Sequence, residues 1–390
     1  MRQEDSNIQD LIPIRDDILD SAKVIVIKVG SAVLTNEHGL DLRVVNRLAD
    51  QIALLHDQGR DVILVSSGAV AAGKNFLNSN IHIPLSLQEK QAAAAIGQSR
   101  LMHSYEEVFE RYGKVSAQIL LTRDDLRSRH RFLNARNTFA TLLQNRIIPI
   151  VNENDTVVVQ ELQFGDNDFL ATLILNIVQS ELFINLTSAD GVYDSNPDLD
   201  SEAKKFDFIT DMKDLDLEHM CQGMSNQGSG GMYSKLLAAR RAAQIGVPTL
   251  VVSGKIPFVL ERVFGKQFLG TWVLPEEKSI PQRKFWLAYN LDPVGTVEID
   301  KGAQDALVLY GKSLLSAGVK KIYGKFLAGD LIRIKGEDNT DIGVGLVNFE
   351  SNELEKIAGK KSQEIESILG REVINKEAIH RDNLLLETVY

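Results

Sequence analysis

The chain has 390 residues, one cysteine and a formal net charge of −10, from 43 Lys/Arg and 53 Asp/Glu. Single cores stop growing near roughly 250–300 residues, so this length predicts two domains. Cys221 alone excludes an internal disulfide framework and a four-cysteine zinc site. The acidic balance argues against a chain that grips nucleic-acid phosphates along its whole length. No apolar run approaches the roughly 18–20 residues of a membrane span, and the acidic N-terminus lacks an apolar signal core, so a cytoplasmic protein is expected.

Residues 1–22 read as a polar tail or a short helix. Lys23–Val29 (KVIVIKV) is a β-branched run closed by Gly30-Ser31, which predicts a buried parallel strand. Val45, Leu48, Ile52 and Leu55 recur at helical spacing, and Gly59 closes that helix. Apolar runs follow at Asp61–Val65, Val115–Leu121, Ile147–Val151, Leu182–Leu186 and Thr249–Val252. Helical segments such as Asn134–Gln144, Phe169–Gln179 and Lys235–Ile245 separate them. This alternation predicts a three-layer α/β domain with a parallel sheet covered on both faces, over residues 23–270. Residues 271–284 (TWVLPEEKSIPQRK) suit a linker. Short strands with turn glycines then predict a small, mostly β domain over 285–380, with a barrel as one form.

Ligands of parallel α/β sheets bind at the carboxyl ends of the strands. The first such end offers Lys28, either a phosphate-binding ammonium or a lysine at the sheet rim. The second offers Ser66, Ser67 and Gly68. Gly68 to Lys74 spells G-x-x-x-x-G-K, but Asn75 stands where a P-loop needs a hydroxyl for Mg²⁺, so a P-loop is rejected. The segment is either an anion-attracting helix start or a packing turn. Asn152-Glu153-Asn154-Asp155 and Gly165-Asp166-Asn167-Asp168 gather four acids and three amides. Such a cluster is costly unless it binds something; a solvated loop and helix capping are the alternatives. Thr187 and Ser188 end another strand. Gly228-Ser229-Gly230-Gly231-Met232-Tyr233-Ser234-Lys235 opens a helix, as a phosphate-approaching loop or a Gly-rich surface loop. Lys235 in a first helical turn opposes the helix dipole, which points to an anionic partner. The seven histidines show no metal-ligand spacing, and no hydrolase triad is evident.

Ten segments together resemble the glutamate 5-kinase family of the amino-acid kinase superfamily. They are IKVGSAVLT (27–35), VSSGAVAAG (65–73), QAAAAIGQSRLM (91–102), QILLTRDD (118–125), RFLNARNT (131–138), PIVNENDTV (149–157), FGDNDFLA (164–171), LTSADGVY (186–193), SGGMYSKLLAA (229–239) and GVPTLVVSG (246–254). Residues near Arg283-Lys284, Gly302-Ala303, Gly329-Asp330 and Ser362-Gln363-Glu364-Ile365 resemble a C-terminal PUA-type domain. The resemblance implies ATP-dependent phosphorylation of the L-glutamate γ-carboxylate, the first step of proline synthesis, with Mg²⁺ as cofactor. It implies that Lys28, Lys235 and Asp168 are catalytic, Asp168 orienting the two lysines. It places ATP at Lys28, Gly30, Thr187, Ser188 and Ser229, Gly230, Gly231, Met232, Tyr233, Ser234 and Lys235. It places glutamate at Ser67, Gly68, Asp155 and Asn167, and assigns no metal ligand. Many relatives have an Asp where this chain has Ser188, which bears on nucleotide contacts there.

The resemblance also implies feedback inhibition by proline and a homo-oligomer, dimer or tetramer. Kinases of the same fold that use acetylglutamate, aspartate, carbamate or a nucleotide are the nearest alternatives. RNA binding by the C-terminal domain is disfavoured, because residues 281–390 hold 15 Lys/Arg against 17 Asp/Glu. A regulatory or assembly role is the preferred expectation for it.

Overall fold

The computed structural model describes residues 8–37, 39–77, 85–157, 167–212, 215–221, 231–276, 281, 284–285 and 293–386. The chain divides into two compact units, Met1–Ser279 and Ile280–Tyr390.

The first unit is built on an eight-stranded sheet. Its strands are β1 (Val24–Val29), β2 (Asp61–Ser66), β3 (Ser116–Leu121), β4 (Ile148–Glu153), β5 (Leu182–Thr187), β6 (Phe208–Ile209), β7 (Thr249–Ser253) and β8 (Thr271–Val273), in the spatial order β3-β4-β2-β1-β5-β7-β8-β6. The six strands from β3 to β7 in that order run parallel. The sheet is not wholly parallel, as the sequence suggested: β8 runs antiparallel to β7, and β6 runs with β8. This also corrects the linker. Thr271–Val273 was expected to lie in it, yet these residues form a buried strand whose Trp272 is fully enclosed.

Alternation along β1 sorts the layers. Ile25, Ile27 and Val29 enter a core shared with α2 (Leu42–Asp57), α4 (Leu87–Arg111) and the short α8 (Val259–Phe264). Lys28 alternates to the other face. There α6 (Asn167–Val178) and α7 (Met232–Gln244) pack on one another. Helix α5 (Arg129–Gln144) starts five residues before its apolar spacing suggested. Of the two readings for residues 1–22, the helix is the one observed over Ile8–Ser21 (α1). Its Leu19 is buried in the α2/α4 core, and Arg15 lies over the Phe268 ring at 5.1 Å.

After β2 the chain turns through Gly68, whose φ of +104° is a left-handed conformation that glycine adopts without strain. Helix α3 (Ala69–Gly73) follows, in agreement with the rejection of a P-loop. It crosses α4 at very short range. A Cβ on Gly73 would lie 1.9 Å from the Ala93 carbonyl oxygen, and one on Gly97 would lie 1.8 Å from that of Ala69. Two glycines therefore let the helix that follows Ser67 seat directly on α4.

The second unit holds a five-stranded sheet. Its strands are β9 (Gly295–Ile299), β10 (Val319–Tyr323), β11 (Leu331–Lys335), β12 (Asp341–Leu346) and β13 (Leu384–Leu386), in the order β10-β9-β11-β12-β13. Only β9 and β11 are parallel neighbours. Val297, Ile299, Ile332 and Ile334 meet Leu307 of α9 (Lys301–Val308) and Leu354 of α10 (Ser351–Ile357) in its core. Among the described residues the edge strands β10 and β13 do not pair with each other.

Candidate active site

The carboxyl ends of β1, β2, β4 and β5 lie side by side on one edge of the first sheet. The start of α6 brings two adjacent residues to that edge, Asn167 and Asp168, and each organises its own cluster.

Asp168 is fully buried. Its Oδ1 lies 2.6 Å from Lys28 Nζ and accepts from Asn185 Nδ2 at 2.9 Å. Its Oδ2 accepts from Lys235 Nζ and from Ser234 Oγ, both at 3.1 Å. Burial pushes the carboxyl up, but the two ammonium groups and the hydrogen bonds from Lys28 and Asn185 outweigh it and hold the group at about 2. The lysines are 2% and 5% exposed, so Lys28 is not a rim lysine. One carboxylate against two ammonium groups leaves this cluster net positive. The unfavourable place of Lys235 in the first turn of α7 is also explained: its anionic partner includes a side chain of the protein itself. Lys235 Nζ further reaches the Gly231 carbonyl oxygen at 3.4 Å.

Asn167 faces the other cluster. Its Nδ2 donates to Ser67 Oγ at 2.9 Å and to Asn152 Oδ1 at 2.8 Å, with the Ser66 carbonyl oxygen at 3.3 Å. Asn152 Nδ2 in turn donates to Gln98 Oε1 at 2.8 Å. Ser66, adjacent to Ser67, shares a buried hydrogen bond with the Tyr105 hydroxyl at 3.0 Å and belongs to the packing.

Asp155 has a different character. It is half-buried, has no hydrogen-bond partner among the described residues, and burial pushes its carboxyl up to about 6. A carboxylate placed this way gains from a cationic ligand.

The remaining expected residues are spread around these groups. Gly30 borders the Lys28 ammonium, since a Cβ there would lie 3.9 Å from Nζ. Thr187 is buried at the end of β5, whereas Ser188 just beyond it is exposed. Gly231 caps α7, Met232 packs against the apolar core beneath it, and Tyr233 is exposed. Ser229 and Gly230 lie outside the described residues, as do Asp166 and the first part of the Gly-rich segment.

Three residues of these clusters were not singled out from the sequence. Asn185 is the one amide in the apolar strand LFINLT, and a lone polar group in a buried strand was its only signal. Gln98 lay within a helical alanine run, and Asn152 was read only as one member of the acid-and-amide cluster beyond the strand, with no role of its own. Asn152 and Glu153 in fact extend β4, and both are buried.

Comparison with known proteins agrees with this architecture. The Amino acid kinase family matches residues 23–253, and the PUA domain matches residues 295–369. The chain is 57% identical to the glutamate 5-kinase of Maridesulfovibrio salexigens, over 95% of this chain and 97% of that protein. It is 55% identical to that of Oleidesulfovibrio alaskensis, over 96% and 98%. It is 48% identical to that of Geobacter sulfurreducens, over 95% and 100%. Among solved structures, a UMP kinase from Ureaplasma parvum aligns with 65% of this chain and 99% of its own at 15% identity and a TM-score of 0.46. The amino acid kinase match falls in the first unit and the PUA match in the mostly β second unit, and the chain belongs to the amino acid kinase family, as a glutamate 5-kinase with a C-terminal PUA domain.

Proposed function

We propose that the chain transfers the γ-phosphoryl group of ATP to the γ-carboxylate of L-glutamate, at the cleft between the Asp168 and Asn167 clusters. The observation that carries this reading is the contrast between two carboxylates. Asp168 is enclosed by Lys28 and Lys235, while Asp155 has no cation near it among the described residues. An acidic amino acid and a nucleotide supply what each cluster lacks: phosphates for the lysines and an ammonium for Asp155.

A carboxylate nucleophile, with a reference pKa of about 4.3, is ionised at neutral pH and needs no general base. The obstacle is repulsion between two anions and the charge that spreads over the transferring group. Lys28 and Lys235 offset both in a water-poor site, where preorganised charge acts most strongly. Asp168 orients the two ammonium groups. Gly30, Thr187, Ser188 and Ser229 to Lys235 border the nucleotide. Ser67, Gly68, Asn167 and Asp155 receive glutamate.

Mg²⁺ enters this scheme with the nucleotide, held chiefly by phosphate oxygens. Among the described residues no three His, Cys, Asp or Glu gather as a metal cage, and both Asp168 oxygens are engaged by lysines and hydrogen-bond donors. No step is assigned to a protein-held metal.

The division into a helix-led kinase part and a PUA part is read as catalysis by the first unit and regulation or assembly by the second. Proline as inhibitor, a dimeric or tetrameric state and a cytoplasmic location complete the proposal. The acceptor and the nucleotide are supported by relatives named glutamate 5-kinase, and no described helix is long and apolar enough to cross a membrane. An ADP-release assay with ATP and Mg²⁺ tests the acceptor across glutamate, acetylglutamate, aspartate, carbamate and UMP. Turnover with glutamate is expected; turnover confined to another acceptor overturns the assignment. The same assay with added proline, and sedimentation of the full chain, test the two regulatory points.

A further inference from the structure

The Asn167 cluster carries a direction that its individual hydrogen bonds do not reveal. The backbone N–H of Glu153 donates to Asn152 Oδ1 at 2.9 Å. A backbone amide is only a donor, so this bond settles which end of the Asn152 side chain is oxygen. The consequences run outward both ways. Asn152 Oδ1 must also meet a donor from Asn167, so Asn167 turns its Nδ2 inward, toward Asn152 Oδ1, the Ser66 carbonyl and Ser67 Oγ. Asn152 Oδ1 and the Ser66 carbonyl can only accept, so the reversed amide would set oxygen against oxygen at both, and Ser67 Oγ then accepts as well. Asn167 Oδ1 is thereby left with no donor among the described residues. Ser67 Oγ is used as an acceptor, which frees its hydroxyl proton to donate.

On the other side, Asn152 Nδ2 can only donate, so Gln98 must present Oε1. Its Nε2 is left buried and without a partner among the described residues. An unsatisfied buried NH₂ is costly. Its presence indicates that the direction imposed by Asn152 outweighs the preference of Gln98 for a full set of bonds.

We propose that Asn152, braced by Gln98, is a positioning residue for the amino-acid acceptor: it transmits the polarity of the Glu153 N–H to Asn167 and Ser67, presenting one acceptor and one donor to the pocket. This inference rests on the reading of Asn167 and Ser67 as acceptor-site groups. A free α-amino acid carries one ammonium and one non-reacting carboxylate, and this half-buried pair matches them, with Asn167 Oδ1 for the first and the Ser67 hydroxyl for the second. Asn152 touches neither the substrate nor the lysine cluster in this scheme, so its influence falls on acceptor binding and not on phosphoryl transfer.

The test is a split in kinetic constants between wild type, Asn152→Ala and Gln98→Met in the full-length enzyme. Asn152→Ala removes the shared acceptor; the KM for glutamate is expected to rise roughly 10- to 100-fold, the range for one hydrogen bond to a charged ligand. The KM for ATP and kcat are expected to stay within about threefold, the pattern of lost ground-state binding. Gln98→Met leaves the Glu153 N–H in place, so a smaller rise confined to glutamate is expected. If Asn152→Ala does not fold, Gln98→Met carries the same comparison. Equal changes in both Michaelis constants, or a lowered Tm with an unchanged KM for glutamate, would overturn the relay and make these residues packing groups. Wild-type turnover of glutamate is measured first. Its absence overturns the acceptor assignment itself, whereas normal wild-type turnover without a glutamate-specific effect in either variant overturns only the relay.

Discussion

Lys28 and Asn185 stand opposite one another in register on the neighbouring parallel strands β1 and β5, and both reach the same oxygen, Oδ1 of Asp168. The strand pairing thus aims two donors at one carboxylate oxygen, and α6 supplies the carboxylate from above. Lys235 and Ser234 meet the second oxygen from α7. Four side chains from three elements fix one buried anion, and that anion in turn fixes the two ammonium groups.

Lys28→Met keeps most of the unbranched side chain and removes its charge. Turnover is expected to fall about 10²–10³-fold, the usual loss for one preorganised electrostatic group. The far-UV circular dichroism spectrum should match wild type. Near-normal kcat would remove Lys28 from the transfer step.

Asp168→Asn leaves two buried ammonium groups facing a neutral amide. Breaking a buried ion pair from one side costs about 3–5 kcal/mol, so a large drop in Tm is expected together with loss of activity. The sign of the pH dependence follows from the depressed carboxyl. In the folded chain it titrates at about 2, below its ordinary 3.8. Its contribution is therefore complete above about 4 and is lost as pH falls toward 2. Denaturant titrations of wild type and variant should converge in that window.

Asp155 is expected to behave oppositely. Unfolded it titrates near 3.8, and folded at about 6. Between these values the folded state binds more protons, so stability falls as pH rises and levels off above about 6. Asp155→Asn should raise stability at pH 7 by on the order of 2–3 kcal/mol, with no gain below about pH 4. The same variant should raise the KM for glutamate, because the ammonium loses its counter-charge. Wild type should show that rise as pH falls through 6. An unchanged KM in the variant would remove Asp155 from the acceptor site.

Gly97→Ala tests the seat of α3. The added Cβ would fall 1.8 Å from the Ala69 carbonyl oxygen, so α3 must shift or α4 must bend. Overpacking of this kind costs about 1–3 kcal/mol. A lower Tm is expected, with the KM for glutamate rising more than that for ATP, since Ser67 leads into α3 while the lysines do not.

Much of this protein was legible in its residues. The apolar runs marked each parallel strand to within a residue or two, most clearly where a strand buried on both faces must be apolar, as in β1 and β5. Lys28 stood out by its place near the carboxyl end of KVIVIKV, where a phosphate-binding ammonium and a rim lysine were both open. Local chemistry also separated α3 from a P-loop, since Asn75 has no hydroxyl. The limits were equally physical. Thr271–Val273 followed a glycine and preceded prolines, so its place in the sheet depended on pairing with β7, which no local pattern encodes. From its own position Lys235 read only as a cation in need of an anionic partner; its pairing with Asp168, 67 residues away in the chain, came from the family resemblance and from no local pattern. Asn185 and Gln98 carried almost no signal.

The sequence by itself determined the layered α/β architecture, the second mostly β unit and the inventory of lysines, acids and amides, since burial and local turn chemistry are written in residue type and spacing. Tertiary structure alone decided which groups share a proton, a charge or a hydrogen bond. Asp168 ionises readily and Asp155 does not, although both are aspartates in neighbouring motifs. The difference is two ammonium groups brought from β1 and α7 to one of them and to no described part of the other.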